Sequence, residues 1–232
     1  MSALKLYHTP PQPCGYLAGR AARNLVADPS ALDASLYQRL ISRGFRRSGD
    51  YVYRPACSGC RACVPLRVPA ARFRPDRSMR RTRRRNEDLR LTVTPARGSG
   101  EPYDLFRRYL QARHAGGEMA RSGNEELSSF LLSSWCQTLF LELRLQNGEL
   151  VAVAVTDRLA DGLSAVYTFF APELPERSLG TLAVLEQIAL ARSLDLPWLY
   201  LGYWVEGCRK MSYKCRFRPH QVLTDEGWRE PG

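Results

Sequence analysis

Cys57, Cys60 and Cys63 stand two residues apart in a Cys-x-x-Cys-x-x-Cys run, and a dense block of arginine follows at once. Three thiolates at this spacing suit a single soft-metal centre, and Cys14 offers a fourth ligand from an earlier loop. Zinc closes tetrahedrally and iron–sulfur clusters take cysteine thiolates, so the spacing admits either, as it admits unligated thiols in a tight loop. The arginine block comprises Arg72, Arg74, Arg77, Arg80, Arg81, Arg83, Arg84 and Arg85, opposed within it only by Asp76. Too few acids are present for a helix laced by i,i+4 ion pairs. Guanidinium groups pair with phosphates through two parallel hydrogen bonds, so Arg77, Arg80, Arg81, Arg84 and Arg85 read as a nucleic-acid contact.

A third constellation lies near the other end. The apolar segment Tyr200-Leu-Gly-Tyr-Trp204 runs into Cys208-Arg-Lys-Met-Ser-Tyr-Lys214. Polar and aromatic residues at a strand's end are where open α/β sheets place ligands, and Arg209, Lys210 and Lys214 would hold a carboxylate or phosphate. Upstream, Arg177-Ser-Leu-Gly180-Thr181 resembles the phosphate-cradling turn of acyltransferases. Leu182 stands where that turn carries a second small residue, so an ordinary helix start fits equally. His8, His114 and His220 adjoin no Ser or Cys motif, which argues against a hydrolytic triad.

The elements that position these residues fall into two rhythms. Residues 36–41 read as a short amphipathic helix ended by Gly44, and 45–53 as a strand–turn–strand around Ser48-Gly49-Asp50. A linker is expected at 94–102, then helices over 103–114 and 125–135. From Thr138 the pattern alternates: strands over 140–145, 150–156 and 163–170, with turns at Asn147-Gly148 and Asp161-Gly162. A long apolar helix over 179–192 and a strand over 198–204 complete the series. Strand, strand, strand, helix, strand is the order of acetyltransferase-like folds. The expected class is α+β: a small Cys/Arg-rich domain at 1–97, then an acetyltransferase-like (GNAT-type) α/β domain at 98–232.

Composition sets the partners. The chain has 232 residues, 44% hydrophobic and 25% charged, values of a folded domain or two, with a net charge of +11. That excess favours nucleic acid or acidic ligands. No apolar stretch approaches the roughly 20 residues that span a bilayer, so no membrane partner is expected. Residues 1–14 show no secretory signal, and seven cysteines in this arrangement suit a reduced cytoplasm.

Several strings together resemble the arginyl-tRNA–protein transferase family. They are Tyr53-Arg-Pro-Ala-Cys57-Ser-Gly-Cys60-Arg-Ala-Cys63, Phe73-Arg-Pro-Asp-Arg-Ser-Met-Arg-Arg81 and Arg85-Asn-Glu-Asp88-Leu89. Ser164-Ala-Val-Tyr167, Arg177-Ser-Leu-Gly180, Tyr200-Leu-Gly-Tyr-Trp204 and Lys210-Met-Ser-Tyr-Lys214 follow in order, so the likeness covers nearly the whole chain. The short length is similar to that of the bacterial branch, which carries leucine from leucyl-tRNA to proteins beginning with Asp or Glu. That transfer marks the acceptor for degradation by the N-degron route. The family's early Cys-Gly-Tyr-Cys reads Cys14-Gly-Tyr-Leu17 here, so one thiol is missing.

The resemblance implies attack by a free α-amino group on an aminoacyl-tRNA ester, with no cofactor required for the chemistry. A zinc or iron–sulfur centre at Cys14, Cys57, Cys60 and Cys63 rests on the cysteine spacing, and with the missing thiol a site without metal stays open. On this reading Tyr167 and Tyr203 line the reaction site and Asp157 accepts the proton. Arg209, Lys210 or Lys214 meets the acceptor's acidic side chain, and Arg177 and Gly180 bind substrate at the helix opening. The partners are charged tRNA and proteins with N-terminal Asp or Glu. Three other readings stay open: arginine as the donor residue, an acetyl-CoA acetyltransferase, and a non-enzymatic metal-dependent RNA-binding module.

Overall fold

A computed structural model describes residues 4–113 and 121–231. The chain opens with strands β1 (Leu6–His8), β2 (Gln12–Pro13), β3 (Ala21–Ala22) and β4 (Asn24–Ala27), then helix α1 (Ala34–Ile41). Asp33 caps α1, accepting the Leu36 N–H at 2.6 Å, and the helix buries Tyr37, Leu40 and Ile41. The hairpin of β5 (Arg46–Ser48) and β6 (Tyr51–Pro55) follows where the alternation predicted it. It joins β1 and β4 in a small sheet of order β1-β4-β6-β5. Gly49 turns the hairpin at φ +57°, and a Cβ there would lie 2.2 Å from the Ser129 carbonyl oxygen, so only glycine fits.

The remaining elements are β7 (Cys63–Pro69), α2 (Arg77–Arg85), β8 (Arg90–Pro95), α3 (Glu101–Arg113), α4 (Asn124–Leu131), β9 (Thr138–Arg144), β10 (Leu150–Arg158) and β11 (Gly162–Phe170). Then come α5 (Leu179–Ser193), β12 (Trp198–Val205), β13 (Gln221–Thr224) and β14 (Gly227–Arg229). One eight-stranded sheet runs β14-β13-β7-β12-β11-β10-β9-β8. The result is a mixed α/β architecture around a large sheet.

This topology corrects the expected boundary at 97. Strand β7 lies between β13 and β12, and β8 closes the far edge beside β9, so one sheet crosses the proposed division. Both strands escaped the sequence because their partners are distant: Leu66 pairs with Gly202, and Leu91 with Leu143. Strand β8 also takes the first two residues of the expected linker. The helix expected over 125–135 stops at Leu131, and the Asp50 carboxylate then accepts the Ser134 N–H at 2.8 Å. His114, the expected end of the preceding helix, lies outside the described residues.

Alternate residues of β10 serve two sides of the sheet, as a period of two requires. Val153 and Val155 pack in a cluster with Phe106 of α3 and Phe169, while Ala154 meets Ala183 of α5. Helix α5 buries Leu182, Val184, Leu185, Ile188 and Ala191 and shares a second core with Met79 of α2.

Candidate active site at a split in the sheet

The two parallel strands at the middle of the sheet part company. Strands β11 and β12 pair only where 162–164 face 198–200. Past that point each carries an irregularity: the β10–β11 register slips between Val155 and Thr156, and the β12–β7 register slips between Tyr200 and Gly202. A bulge bends a strand and strengthens its twist, so two bulges at one level hold the strands apart. Ala165, Val166, Tyr167 and Thr168 are accordingly half-exposed, although their strand is central.

Splitting two strands leaves carbonyls without ladder partners, and such groups need donors. Arg46 of β5 supplies them: its Nη2 donates to the Ala165 oxygen at 2.8 Å and the Val166 oxygen at 2.9 Å. Gly202 makes room, since a Cβ there would lie 1.9 Å from Arg46 Nη1, and its φ of +73° also favours glycine. A cavity of about 10 Å³, space for one water molecule, sits at the vertex between Arg46, Ser164, Tyr200 and Gly202.

Around the Arg46 guanidinium the neighbours are hydroxyls and an amine. Burial pushes the Tyr16 hydroxyl up to about 12, with Tyr53 adding to the rise and Arg46 opposing it. Tyr213, exposed on the surface, lies in electrostatic reach of both Arg46 and Tyr109. Lys214 is buried and donates to the Tyr203 carbonyl at 2.8 Å; burial, then the Arg46 charge, pulls its amine well below the ordinary lysine range. On the other wall Tyr167 stands edge-on to Phe106 and Phe130 with centroids 5.4 Å apart in each pair. Tyr109 meets Tyr167 and Phe170 at 6.4 and 5.0 Å. The result is a cationic vertex with an aromatic wall.

The expected site residues divide sharply. Tyr167 is in the split. Tyr203 is beside it but buried, its hydroxyl donating to the Gly44 carbonyl at 2.7 Å, so it braces the site and does not line it. Asp157 is sealed: its carboxylate accepts from Arg47 Nε and Nη2 at 2.6 Å each, from Thr138 at 2.9 Å and from Tyr37 at 3.2 Å. A carboxylate with no exposure and every lone pair engaged takes no proton from a substrate, so that role is withdrawn. Lys214 is held inside, whereas Arg209 and Lys210 are exposed on the loop after β12 and form no ion pair among the described residues.

The start of α5 differs from a phosphate-cradling turn. Arg177 is committed to Asp88 by two hydrogen bonds of 2.9 Å, and the Asn86 amide donates to the Arg177 carbonyl at 2.8 Å. Gly180 is small because the Phe170 ring lies 3.1 Å from where its Cβ would be. These contacts tie the end of α2 to the turn that leads into α5, beside the end of β11. On α2, Met79 and Thr82 face inward, while Arg77, Arg80, Arg81, Arg84 and Arg85 are exposed. Arg80 bonds the Pro75 carbonyl and Arg85 the Glu176 carbonyl; the spacing of Arg77, Arg81 and Arg84 leaves one continuous cationic face.

Comparison with known proteins accounts for the whole chain. The family profile described as arginine-tRNA-protein transferase, C terminus, matches residues 101–224, and its N-terminus counterpart matches 12–81. The aspartate/glutamate leucyltransferase of Marinobacter nauticus is 48% identical over 231 residues, 99% of this chain and 97% of that one. That of Nitrosococcus oceani is 49% identical over 223 residues, 96% of this chain and 94% of its own. The chain belongs to the arginine-tRNA-protein transferase family. It is an aminoacyltransferase. Among solved structures, that of L-PGS from Bacillus licheniformis overlaps 74% of this chain but 49% of that one, about half its length, at 13% identity and a TM-score of 0.48.

In this transferase the cysteines gather without forming a ligand set. Cys63 is half-buried; burial first, then Cys57, Cys14, Cys60 and Cys208, pushes its thiol up to about 11. The Arg23 N–H lies 3.4 Å from Cys57 Sγ, and the Leu17 N–H lies 3.5 Å from Cys14 Sγ. Among the described residues no three Cys, His, Asp or Glu side chains are placed to hold a metal ion.

The sequence reading missed Arg46, Arg47, Tyr16, Tyr109 and Tyr213 of the transferase. A signal for the first two was present. Two adjacent arginines inside an apolar hairpin must point to opposite faces of the strand, so at least one enters the protein.

Proposed function

We propose that this transferase carries leucine from leucyl-tRNA to the α-amino group of proteins beginning with Asp or Glu, and that transfer takes place in the split between β11 and β12. One observation carries the placement: the sheet opens at its centre into a cleft with a cation at its vertex and Tyr109, Tyr167 and Phe170 on its wall. Antiparallel β9–β10–β11, the crossover α5 and a parallel β12 that diverges support an acetyltransferase-like (GNAT-type) reading of this half.

The acceptor amine attacks the ester carbonyl of the charged tRNA. A C–N bond forms, the ester C–O bond breaks, and the terminal ribose oxygen leaves with a proton while the amine loses one. The ester is already activated, so positioning and oxyanion stabilisation suffice, without ATP or a resident cofactor. The aromatic wall suits a leucyl side chain. The exposed face of α2 suits the tRNA backbone, and the Asn86, Arg177 and Asp88 contacts hold that face next to the cleft. The cytoplasm supplies charged tRNA, and the new N-terminal leucine would mark acceptors for degradation.

The test offers labelled leucine and labelled arginine, each on its tRNA, with peptides beginning Asp, Glu, Lys or Ala. Leucine on Asp and Glu peptides alone is expected. Arginine on the same peptides would keep the reaction and change the donor. Tight tRNA binding with no transfer would favour an RNA-binding module.

A further inference from the structure

We infer that Arg46 determines acceptor specificity by pairing with the acidic side chain of the first residue, in place of the expected Arg209, Lys210 or Lys214. The inference rests on the transfer reaction proposed above. Three observations lead to it.

First, Arg46 is a guanidinium at the vertex of the split with donors to spare. Nη2 serves the Ala165 and Val166 carbonyls, while Nε and Nη1 make no hydrogen bond among the described residues and are not sealed from solvent. Second, its charge is unopposed. Arg47, the next residue, has Asp157 at 2.6 Å; Arg46 forms no ion pair with a described carboxylate. Its electrostatic neighbours are the hydroxyls of Tyr16, Tyr203 and Tyr213 and the amine of Lys214. A partly desolvated cation without a counter-charge favours an anion, and the free N–H groups of Nε and Nη1, on separate edges of the guanidinium, each offer a charge-assisted hydrogen bond to a carboxylate oxygen. Third, the guanidinium is held. Two carbonyl bonds and the close approach to Gly202 fix it, so little side-chain entropy is lost on binding. Arg209 and Lys210, by contrast, are exposed loop residues whose carboxylate contacts water and salt would screen.

Arg46 also accounts for what the site would reject. An Asn or Gln first residue would leave its charge unpaired, and sites built around a charged contact discriminate strongly against neutral isosteres.

The experiment measures leucine transfer to four peptides, beginning Asp, Glu, Asn and Gln, by the unaltered protein and by Arg46→Gln, with KM for leucyl-tRNA measured alongside. The preference of Asp over Asn is expected to fall about 10- to 150-fold, the loss of one charge-assisted hydrogen bond, with KM for leucyl-tRNA within about 2-fold. An equal loss on all four peptides would assign Arg46 to bracing the strands and overturn the proposal, as would an unchanged preference. Crosslinking on the unaltered protein covers the case in which Arg46→Gln does not fold. A diazirine at the second residue of an Asp peptide should label the segment 44–47 or 202–203; labelling of 208–210 would overturn the proposal. If the unaltered protein transfers no leucine to any peptide, the reaction itself has been misassigned, a result distinct from every one above.

Discussion

Arg46 and Arg47 are consecutive, identical in chemistry and opposite in fate. Arg47 points into the interior, where Asp157, Thr138 and the carbonyls of Leu131 and Gly49 meet its donors. Arg46 points into the split, bonds two carbonyls and faces no acid. The sealed pair joins the small sheet to β10, and by doing so it sets where the next side chain along β5 must go. A buried ion pair is weak evidence for stability in itself, because desolvation offsets attraction. Its use here is registry: the charge that is satisfied positions the charge that is not.

The largest effect should come from breaking the sealed side. Asp157→Ala or Arg47→Ala leaves a lone buried charge and is expected to cost about 3–5 kcal/mol in urea unfolding. Replacing both together (Arg47→Met with Asp157→Leu) should recover most of that loss, and a single variant within about 1 kcal/mol of the parent would refute the clamp. The open side is broken by Gly202→Ala, whose Cβ falls on the Arg46 guanidinium at a left-handed φ. A stability loss of about 1–2 kcal/mol is expected, with transfer to Asp peptides falling further than binding of leucyl-tRNA.

Arg77, Arg81 and Arg84 lie away from both sides, on the exposed face of α2. Their joint replacement by Ala should change stability by under about 0.5 kcal/mol. The slope of log affinity for tRNA against log salt should fall by roughly 2–3. An unchanged slope would move the tRNA elsewhere. A last effect concerns acid. Burial would raise the Glu142 carboxyl, but hydrogen bonds from Arg97 and Arg144 outweigh it and hold it below the usual 4.5. In the unfolded chain this carboxyl takes up its proton first as pH falls. Its contribution is therefore complete above about pH 4.5 and disappears as pH drops through the lower folded value. Glu142→Gln should cost about 1 kcal/mol at pH 7 and flatten the decline of stability below pH 5.

Much of the architecture was legible in the residues. The hairpin of β5 and β6, the run β9–β10–β11, α5 and β12 all sit where alternation and turn chemistry placed them. The exposed arginines of α2 follow from charge alone. What escaped were helix α2, whose arginines lack the acids that would signal an ion-paired helix, the short strands β1–β4, and elements whose partners lie far along the chain: β7 inside the sheet, β8 at its edge and β13 beyond it. Asp157 was misread for a related reason. A carboxylate at a strand's end looks like a catalytic group until the arginine that neutralises it, 110 residues away, is known.

The sequence by itself determined the run β9–β10–β11–α5–β12, the cationic excess, the reach of the family motifs and the fact that two adjacent strand arginines must diverge. Those properties are local or additive, so they can be read without coordinates. Only the tertiary structure decided which arginine was neutralised and which was left open. That choice depends on carbonyls and a carboxylate 110 to 120 residues distant, brought to β5 by the folding of the large sheet.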